Sequence, residues 1–218
     1  MKQFLIIGLG NFGMGVAKTL YEEGDDITAI DIDKSRVQEI QESSNQALLG
    51  DATDRKILEQ LGVDKFDSAV ISMGSDEHAA ILITLHLKEL GCTNTIVKAE
   101  NEDHGSILKA VGANKVIFPE DEMAKKLALS LSNPNFLDFI PLGEDYSVAE
   151  IAPPEQFHGK SIMDLKLRQK YKVEIIAIKD ESSGMFKYLT PPDYVFQASD
   201  TIICIGKFED LEKIREAK

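Results

Sequence analysis

A doubly wound α/β unit followed by a small α+β unit is the fold class this sequence predicts. Short apolar runs without polar alternation, amphipathic stretches between them and a glycine-rich turn after the first run all point to it. A strand buried on both faces, as in a parallel sheet between two helix layers, has no reason to alternate. The runs are Phe4-Leu5-Ile6-Ile7, Ile27-Thr28-Ala29-Ile30, Ala47-Leu48-Leu49, Ser68-Ala69-Val70-Ile71, Thr95-Ile96-Val97 and Lys115-Val116-Ile117-Phe118. Helix-period stretches near 11–23, 34–43, 54–62, 77–90, 102–112 and 120–132 separate and follow them. Gly24, Gly62, Gly91 and Gly112 stand where four of these helices should stop. Such strand–helix alternation builds a parallel sheet through right-handed crossovers.

Asn133-Pro134-Asn135 is expected to break the sixth helix and close a first domain of residues 1–134, with Phe136 to Gly143 as a connector. The second domain, residues 135–218, holds strand candidates at Ser147–Ile151, Val173–Lys179, Phe186–Leu189 and Thr201–Ile205. Ser182-Ser183-Gly184 should turn a hairpin between two of them. Helices are expected over Ser161–Lys170 and Glu209–Ala217. Beyond the connector, a unit of ~75 residues is near the lower limit for an independent core, so it is expected to dimerise.

The chain has 218 residues, 43% of them hydrophobic and 28% charged, as in an ordinary globular protein. Lys and Arg total 24 against 37 Asp and Glu, a net charge of −13. That balance argues against a nucleic-acid backbone as partner, since neutralising phosphates takes clustered cations. No apolar run approaches the ~20 residues of a membrane span, and no signal peptide is expected. Cys92 and Cys204 match no metal spacing and read as small core residues of a reducing compartment.

Gly8-Leu9-Gly10-Asn11-Phe12-Gly13 follows the first strand and opens the first helix, and Asp31 ends the second strand about twenty residues on. This is the dinucleotide-binding (Rossmann) fingerprint in its proper context. The glycines allow a tight turn and close approach of a pyrophosphate to backbone N–H groups at a helix N-terminus. Asp31 would accept hydrogen bonds from an adenosine ribose, and Asp31 with Asp33 would repel a 2′-phosphate. Asp51, in Gly50-Asp51-Ala52-Thr53-Asp54, would orient the base or ribose, and Met73-Gly74-Ser75 faces the same crevice. Pro119-Glu120-Asp121-Glu122 suits the first turn of a helix. No Tyr precedes a Lys by four residues, the four histidines form no ligand spacing, and no nucleophile motif is present. The nucleotide therefore reads as a signal and not a reactant.

Ile6-Ile7-Gly8-Leu9-Gly10-Asn11-Phe12-Gly13, Asp31-Ile32-Asp33 and Gly50-Asp51-Ala52-Thr53-Asp54 lead a longer ordered series. Leu82 to Gly91, Val97-Lys98-Ala99-Glu100 and Val111 to Glu120 continue it, with Asp164-Leu165-Lys166-Leu167-Arg168 and Ile175 to Lys179 in the second domain. The whole resembles the RCK family, regulator subunits of potassium channels and of Ktr/Trk potassium transporters. The resemblance implies a cytoplasmic homo-oligomer, from a dimer to an octameric ring. It would sit peripheral to the inner face of the membrane, on a separate membrane-embedded potassium transporter or channel. It implies an adenine-nucleotide site lined by Asn11, Asp31, Ile32, Asp33, Asp51, Ala52, Met73, Gly74, Ser75, Lys98, Ala99, Glu100, His104 and Glu120. Glu120 matches a position that helps hold a cation, divalent or monovalent, in some transporter regulators.

Regulators that sense ATP often carry Arg where this chain has Asn11, which brings NAD(H), ADP and AMP into competition with ATP. Some family members bind cyclic di-AMP between C-terminal domains, and Ile162, Met163, Asp164, Arg168 and Pro191 match positions used there. Glu174 opposes such a ligand unless it points away or pairs with Lys172, and Arg168 has an ordinary role beside Asp164. Two rival readings are an NAD-dependent oxidoreductase and a calcium-gated ring using Asp51, Asp76 and Glu77 as ligands.

Overall fold

The structure is a computed structural model that describes residues 1–132, 136–142 and 145–216. Contacts divide it into two compact units, Met1–Glu120 and Asp121–Lys218. The first unit alternates β1 (Gln3–Ile7), α1 (Asn11–Glu22), β2 (Asp26–Asp31), α2 (Lys34–Ile40), β3 (Gln46–Leu49) and α3 (Arg55–Leu61). It continues with β4 (Ser68–Ile71), α4 (Glu77–Glu89), β5 (Thr95–Lys98), α5 (Glu102–Val111) and β6 (Lys115–Ile117). The six strands are all parallel, in the order β3-β2-β1-β4-β5-β6. The predicted alternation thus gives a doubly wound sheet whose strand order reverses at β1 and β4, where a crevice opens.

Why the apolar runs do not alternate is visible in β1. Leu5 and Ile7 pack into one core with Ile71, Leu58, Ile83 and Leu108. Ile6 points into the opposite core with Ile27, Ala29, Met14 and Ile40. Both faces of the strand are covered, and each fully buried Leu or Ile contributes about 1.5–3 kcal/mol. Helices α2 to α5 start at side-chain caps: Asp33, Asp54, Asp76 and Asn101 accept N–H groups of Ser35, Lys56, Ala79 and His104. Helix α1 has no such cap. The helix α6 (Pro119–Ser132) begins in this unit and runs into the second.

The second unit contains β7 (Phe136–Leu142), β8 (Tyr146–Ile151), the short helices α7 (Ile162–Leu165) and α8 (Leu167–Lys170), β9 (Glu174–Asp180), β10 (Met185–Tyr188), β11 (Asp200–Lys207) and α9 (Phe208–Glu216). Its antiparallel sheet runs β10-β9-β11-β8-β7 over a core that includes Phe157, Phe196, Leu167, Ile178 and Ile202. Two expectations are corrected. The stretch read as a connector is the strand β7, paired antiparallel with β8. Pro141 removes a ladder donor and so hid it, which the edge position tolerates. The helix expected over Ser161–Lys170 is two helices, because Lys166 takes a left-handed conformation (φ 50°) that ends α7. The expected break at Asn133-Pro134-Asn135 and the last residue of the expected closing helix, Ala217, lie outside the described residues.

The hairpin turn is where the sequence put it, between β9 and β10. Asp180 accepts the Ser182 N–H at 3.0 Å and the Ser183 hydroxyl at 3.0 Å, and also the Ser182 hydroxyl. These bonds, that from the Ser182 hydroxyl foremost, hold its carboxyl down at about 2 against an ordinary 3.8. A depressed carboxylate favours the native turn above its unfolded pKa, and the contribution fades as pH falls through the native one. In an NMR titration, the Ser182 and Ser183 amides should move with a midpoint near 2. A midpoint at the ordinary value of 3.8 would show that the turn bonds do not form in solution.

Candidate functional site

The crevice at the carboxyl ends of β1, β2, β4 and β5 has a volume of about 450 Å³. Its floor is the glycine turn. Gly8 has φ +88°, and an added Cβ there would lie 2.2 Å from the Ser72 carbonyl oxygen, so only glycine fits. At Gly13 an added Cβ would lie 1.9 Å from the Gly8 carbonyl oxygen, which lets α1 press directly on the turn. With no side-chain cap at Gly10, the first N–H groups of α1 are left for a ligand, and the helix dipole favours an anion there.

Asp31 ends β2 and is 7% exposed. Its Oδ2 accepts the Leu9 N–H at 2.6 Å and its Oδ1 the Asp33 N–H at 2.8 Å. The carboxylate therefore braces the glycine turn as well as offering lone pairs to the crevice. Asp33 caps α2, and the Ser35 hydroxyl bonded to it holds its carboxyl below the usual carboxylate range. Arg36, one turn into α2, lines the crevice with its guanidinium 3.6 Å from Asp31 and 3.8 Å from Asp33. Sequence reasoning missed Arg36, and the expected repulsion of a 2′-phosphate by two bare carboxylates is corrected by it. Its spacing of three residues from Asp33, on the same helix face, was the available signal.

Of the expected residues, Gly8, Gly10, Asn11, Phe12, Asp31, Ile32, Ala52, Met73, Gly74, Ser75, Lys98 and Glu120 line the crevice, together with Gly50, Ser72 and Asp76. Gly13, Asp33, Asp51, Ala99, Glu100 and His104 are not in its lining. Asp51 turns to Thr53, accepting its N–H at 2.9 Å and its hydroxyl at 2.7 Å, and the hydroxyl bond lowers its pKa. His104, in the first turn of α5, is 1% exposed. Its Nδ1 accepts the Glu100 N–H at 3.3 Å, fixing the backbone beside Lys98, while its Nε2 has no partner among the described residues.

At the β5 end, the Lys98 ammonium donates to Glu120 and lies 3.8 Å from Glu100. The Lys98 side chain is 11% exposed, and its hydrogen bond holds the Glu120 carboxyl below the usual range. Glu120 therefore faces a lysine within the described chain. Among the described residues, no cluster of three or more His, Cys, Asp or Glu could hold a metal. The trio proposed for calcium is not brought together: Asp51 is held by Thr53, Asp76 caps α4 and Glu77 accepts from Asn101.

In the second unit, Ile162, Met163 and Arg168 line a pocket of about 520 Å³ together with Glu174, Thr190 and Pro192. Pro191 is not in its lining, and Asp164 turns its carboxylate to the Ser161 hydroxyl at 2.6 Å. Arg168 makes a two-pronged pair with Glu174, with Nη2 to Oε1 at 2.6 Å. Neither Lys172 for Glu174 nor Asp164 for Arg168 is the partner that forms.

Residues 4–119 match the TrkA-N domain family and residues 147–218 the TrkA-C domain family. The chain is 37% identical over 215 residues to Ktr system potassium uptake protein C of Bacillus subtilis, covering 99% of this chain and 96% of that protein. It is 35% identical over 212 residues to Ktr system potassium uptake protein A of the same organism, covering 97% and 95%. Among solved structures, the GsuK channel bound to NAD superposes with a TM-score of 0.57 at 23% identity. That match covers 100% of this chain and 39% of the channel chain, and it bears on the fold alone.

Proposed function

We propose that this chain, which belongs to the TrkA-N and TrkA-C domain family, is the nucleotide-binding regulatory subunit of a potassium-uptake system. Residues 1–134 bind an adenine nucleotide, and residues 135–218 form a dimerising domain. The subunit is cytoplasmic, peripheral to the membrane, and assembles as a dimer or a ring of dimers on a membrane-embedded potassium transporter or channel. No helix among the described residues is long and apolar enough to cross a membrane. The observation that carries the reading is the uncapped N-terminus of α1 over a glycine turn, with Asp31 at the neighbouring strand end.

The likeness to Ktr system potassium uptake proteins over nearly the whole chain supports a regulatory role over an oxidoreductase. Regulation follows if the nucleotide binds two subunit arrangements with different affinity, because only that difference shifts a population. A phosphate of cyclic di-AMP at the Arg168 pocket would share Arg168 with Glu174, to which its Nε and Nη2 already donate.

Calorimetry on the purified chain with AMP, ADP, ATP, NAD⁺ and NADH should give saturable micromolar binding for at least one. Light scattering of the same sample should show a dimer or larger. A monomer at micromolar concentration with and without nucleotide would overturn the assembly, and no binding at millimolar nucleotide would overturn the site.

A further inference from the structure

We propose that Lys160, Lys166 and Lys170, three unpaired cations around one pocket of the second unit, form a site for a multivalent phosphate group.

Charge is concentrated here in the sequence. Residues 160–172 carry five cations and one acid, Asp164, for a net +4 in a chain that totals −13. The remaining 205 residues therefore sum to −17. A basic segment this local in an acidic chain marks an anionic partner.

Folding then sorts those cations. Arg168 donates to Glu174 through two nitrogens, and Lys172 stands near enough to Asp210 to help lower its carboxyl pKa. Lys160, Lys166 and Lys170 form no ion pair among the described residues. All three line an open pocket of about 720 Å³ with Gln156, Gln169 and Tyr171. The Lys170 ammonium lies over the Tyr171 ring, 5.0 Å from its centroid, which places the charge without cancelling it. Asp164 is the one carboxylate in the lining, and its Oδ2 accepts the Ser161 hydroxyl at 2.6 Å and the Ser161 N–H at 3.3 Å. The lining thus sums to +2, and the two glutamine amides add neutral donors.

Lys166 is the most telling residue. It ends α7 with φ 50° and ψ 43°, a left-handed conformation that favours glycine or asparagine. What lysine adds there, at the cost of backbone strain, is an ammonium. The donors also set the class of ligand. Phe157 and Tyr171 are 1% and 7% exposed, so no open ring is offered for a base to stack on. Lysine ammoniums are mobile point charges that suit phosphate oxygens without a fixed fork. Three together match a group with several negative charges, such as a free polyphosphate or the clustered headgroups of an anionic lipid surface.

The probes are tripolyphosphate, by calorimetry, and phosphatidylcholine vesicles with and without phosphatidylglycerol, by flotation, each on the full chain. Lys166→Gly suits the backbone, so its urea midpoint should stay at or above the wild-type value. The triple variant adds Lys160→Gln and Lys170→Gln, both at exposed positions. Lys109→Gln, exposed on α5 of the first unit, removes an equal charge as a control. Wild-type binding of tripolyphosphate or of phosphatidylglycerol vesicles should weaken about three- to tenfold in Lys166→Gly and vanish in the triple variant or at about 0.5 M salt. The control should bind as the wild type does. Tripolyphosphate binding alone identifies a free phosphate as the ligand, and binding of phosphatidylglycerol vesicles alone identifies a membrane surface. Binding of neither probe, binding that survives the triple variant, or an equal loss in Lys109→Gln overturns the site. AMP affinity should stay within about twofold in every variant, because the nucleotide crevice is in the other unit. Absence of AMP binding to the wild type would overturn the crevice reading and leave this one standing.

Discussion

Gly13→Ala should abolish nucleotide binding and lower the stability of the first unit by about 3 kcal/mol, at the upper end of the penalties for overpacking. The new methyl group would sit 1.9 Å from the Gly8 carbonyl oxygen, which is backbone and cannot swing aside. Either α1 lifts off the turn or the turn itself flattens. Both movements take the first N–H groups of α1 away from the place where a pyrophosphate would lie. Gly15 supplies the control, two residues on in the same helix, where an added Cβ meets nothing within 4 Å. Gly15→Ala should therefore stabilise by up to about 1 kcal/mol, as alanine does in an open helical position. Urea midpoints and nucleotide calorimetry on the two variants read both effects. Wild-type affinity in Gly13→Ala would show that the ligand does not use the end of α1.

The parallel sheet was legible because its signal is local. Strands such as Ser68-Ala69-Val70-Ile71 are buried along their whole length, so a continuous apolar run suffices to find them. The glycine turn was legible for a related reason: Gly8 and Gly13 have contacts that exclude any Cβ, and that constraint is written in residue identity. The edge strand β7 was not, because an edge position tolerates Pro141 and its pairing with β8 is a property of the folded sheet. Side-chain partners across the fold were harder still. Glu120 follows β6 and Lys98 ends β5, and only the parallel neighbouring of those strands brings the two together. Arg168 likewise has Asp164 four residues back on the chain but finds Glu174 at the start of β9, where the backbone turn at Lys166 aims it. Spacing rules for one helix do not survive a left-handed residue inside it.

Asp31→Ala should damage the site twice, once through the fold and once through the ligand, and the two effects separate by experiment. Sequence alone suggests a residue that caps a crevice and leaves the fold unaffected by its loss. The structure corrects this, since Asp31 is 7% exposed and its Oδ2 accepts the Leu9 N–H at 2.6 Å. Leu9 is itself 2% exposed, so without the carboxylate its N–H is left buried and unpaired. An orphaned donor of this kind costs about 1–3 kcal/mol, seen in the unfolding of the ligand-free chain. Ribose hydroxyls donating to the same carboxylate would add about 1.5–3 kcal/mol to binding, or roughly 10- to 150-fold in affinity. Asp31→Asn divides the two contributions. Its amide oxygen can keep the Leu9 bond, but its amide nitrogen cannot accept the Asp33 N–H that Oδ1 takes, the charge that strengthens the ribose bonds is gone, and Arg36 keeps Asp33, 3.8 Å away. The expected pattern is lost stability with lost affinity in Asp31→Ala, and a smaller loss of stability with lost affinity in Asp31→Asn. If both variants lose stability but bind nucleotide as the wild type does, Asp31 is a brace for the glycine turn and the ribose lies elsewhere. If neither loses stability, the Leu9 bond is not what holds the turn.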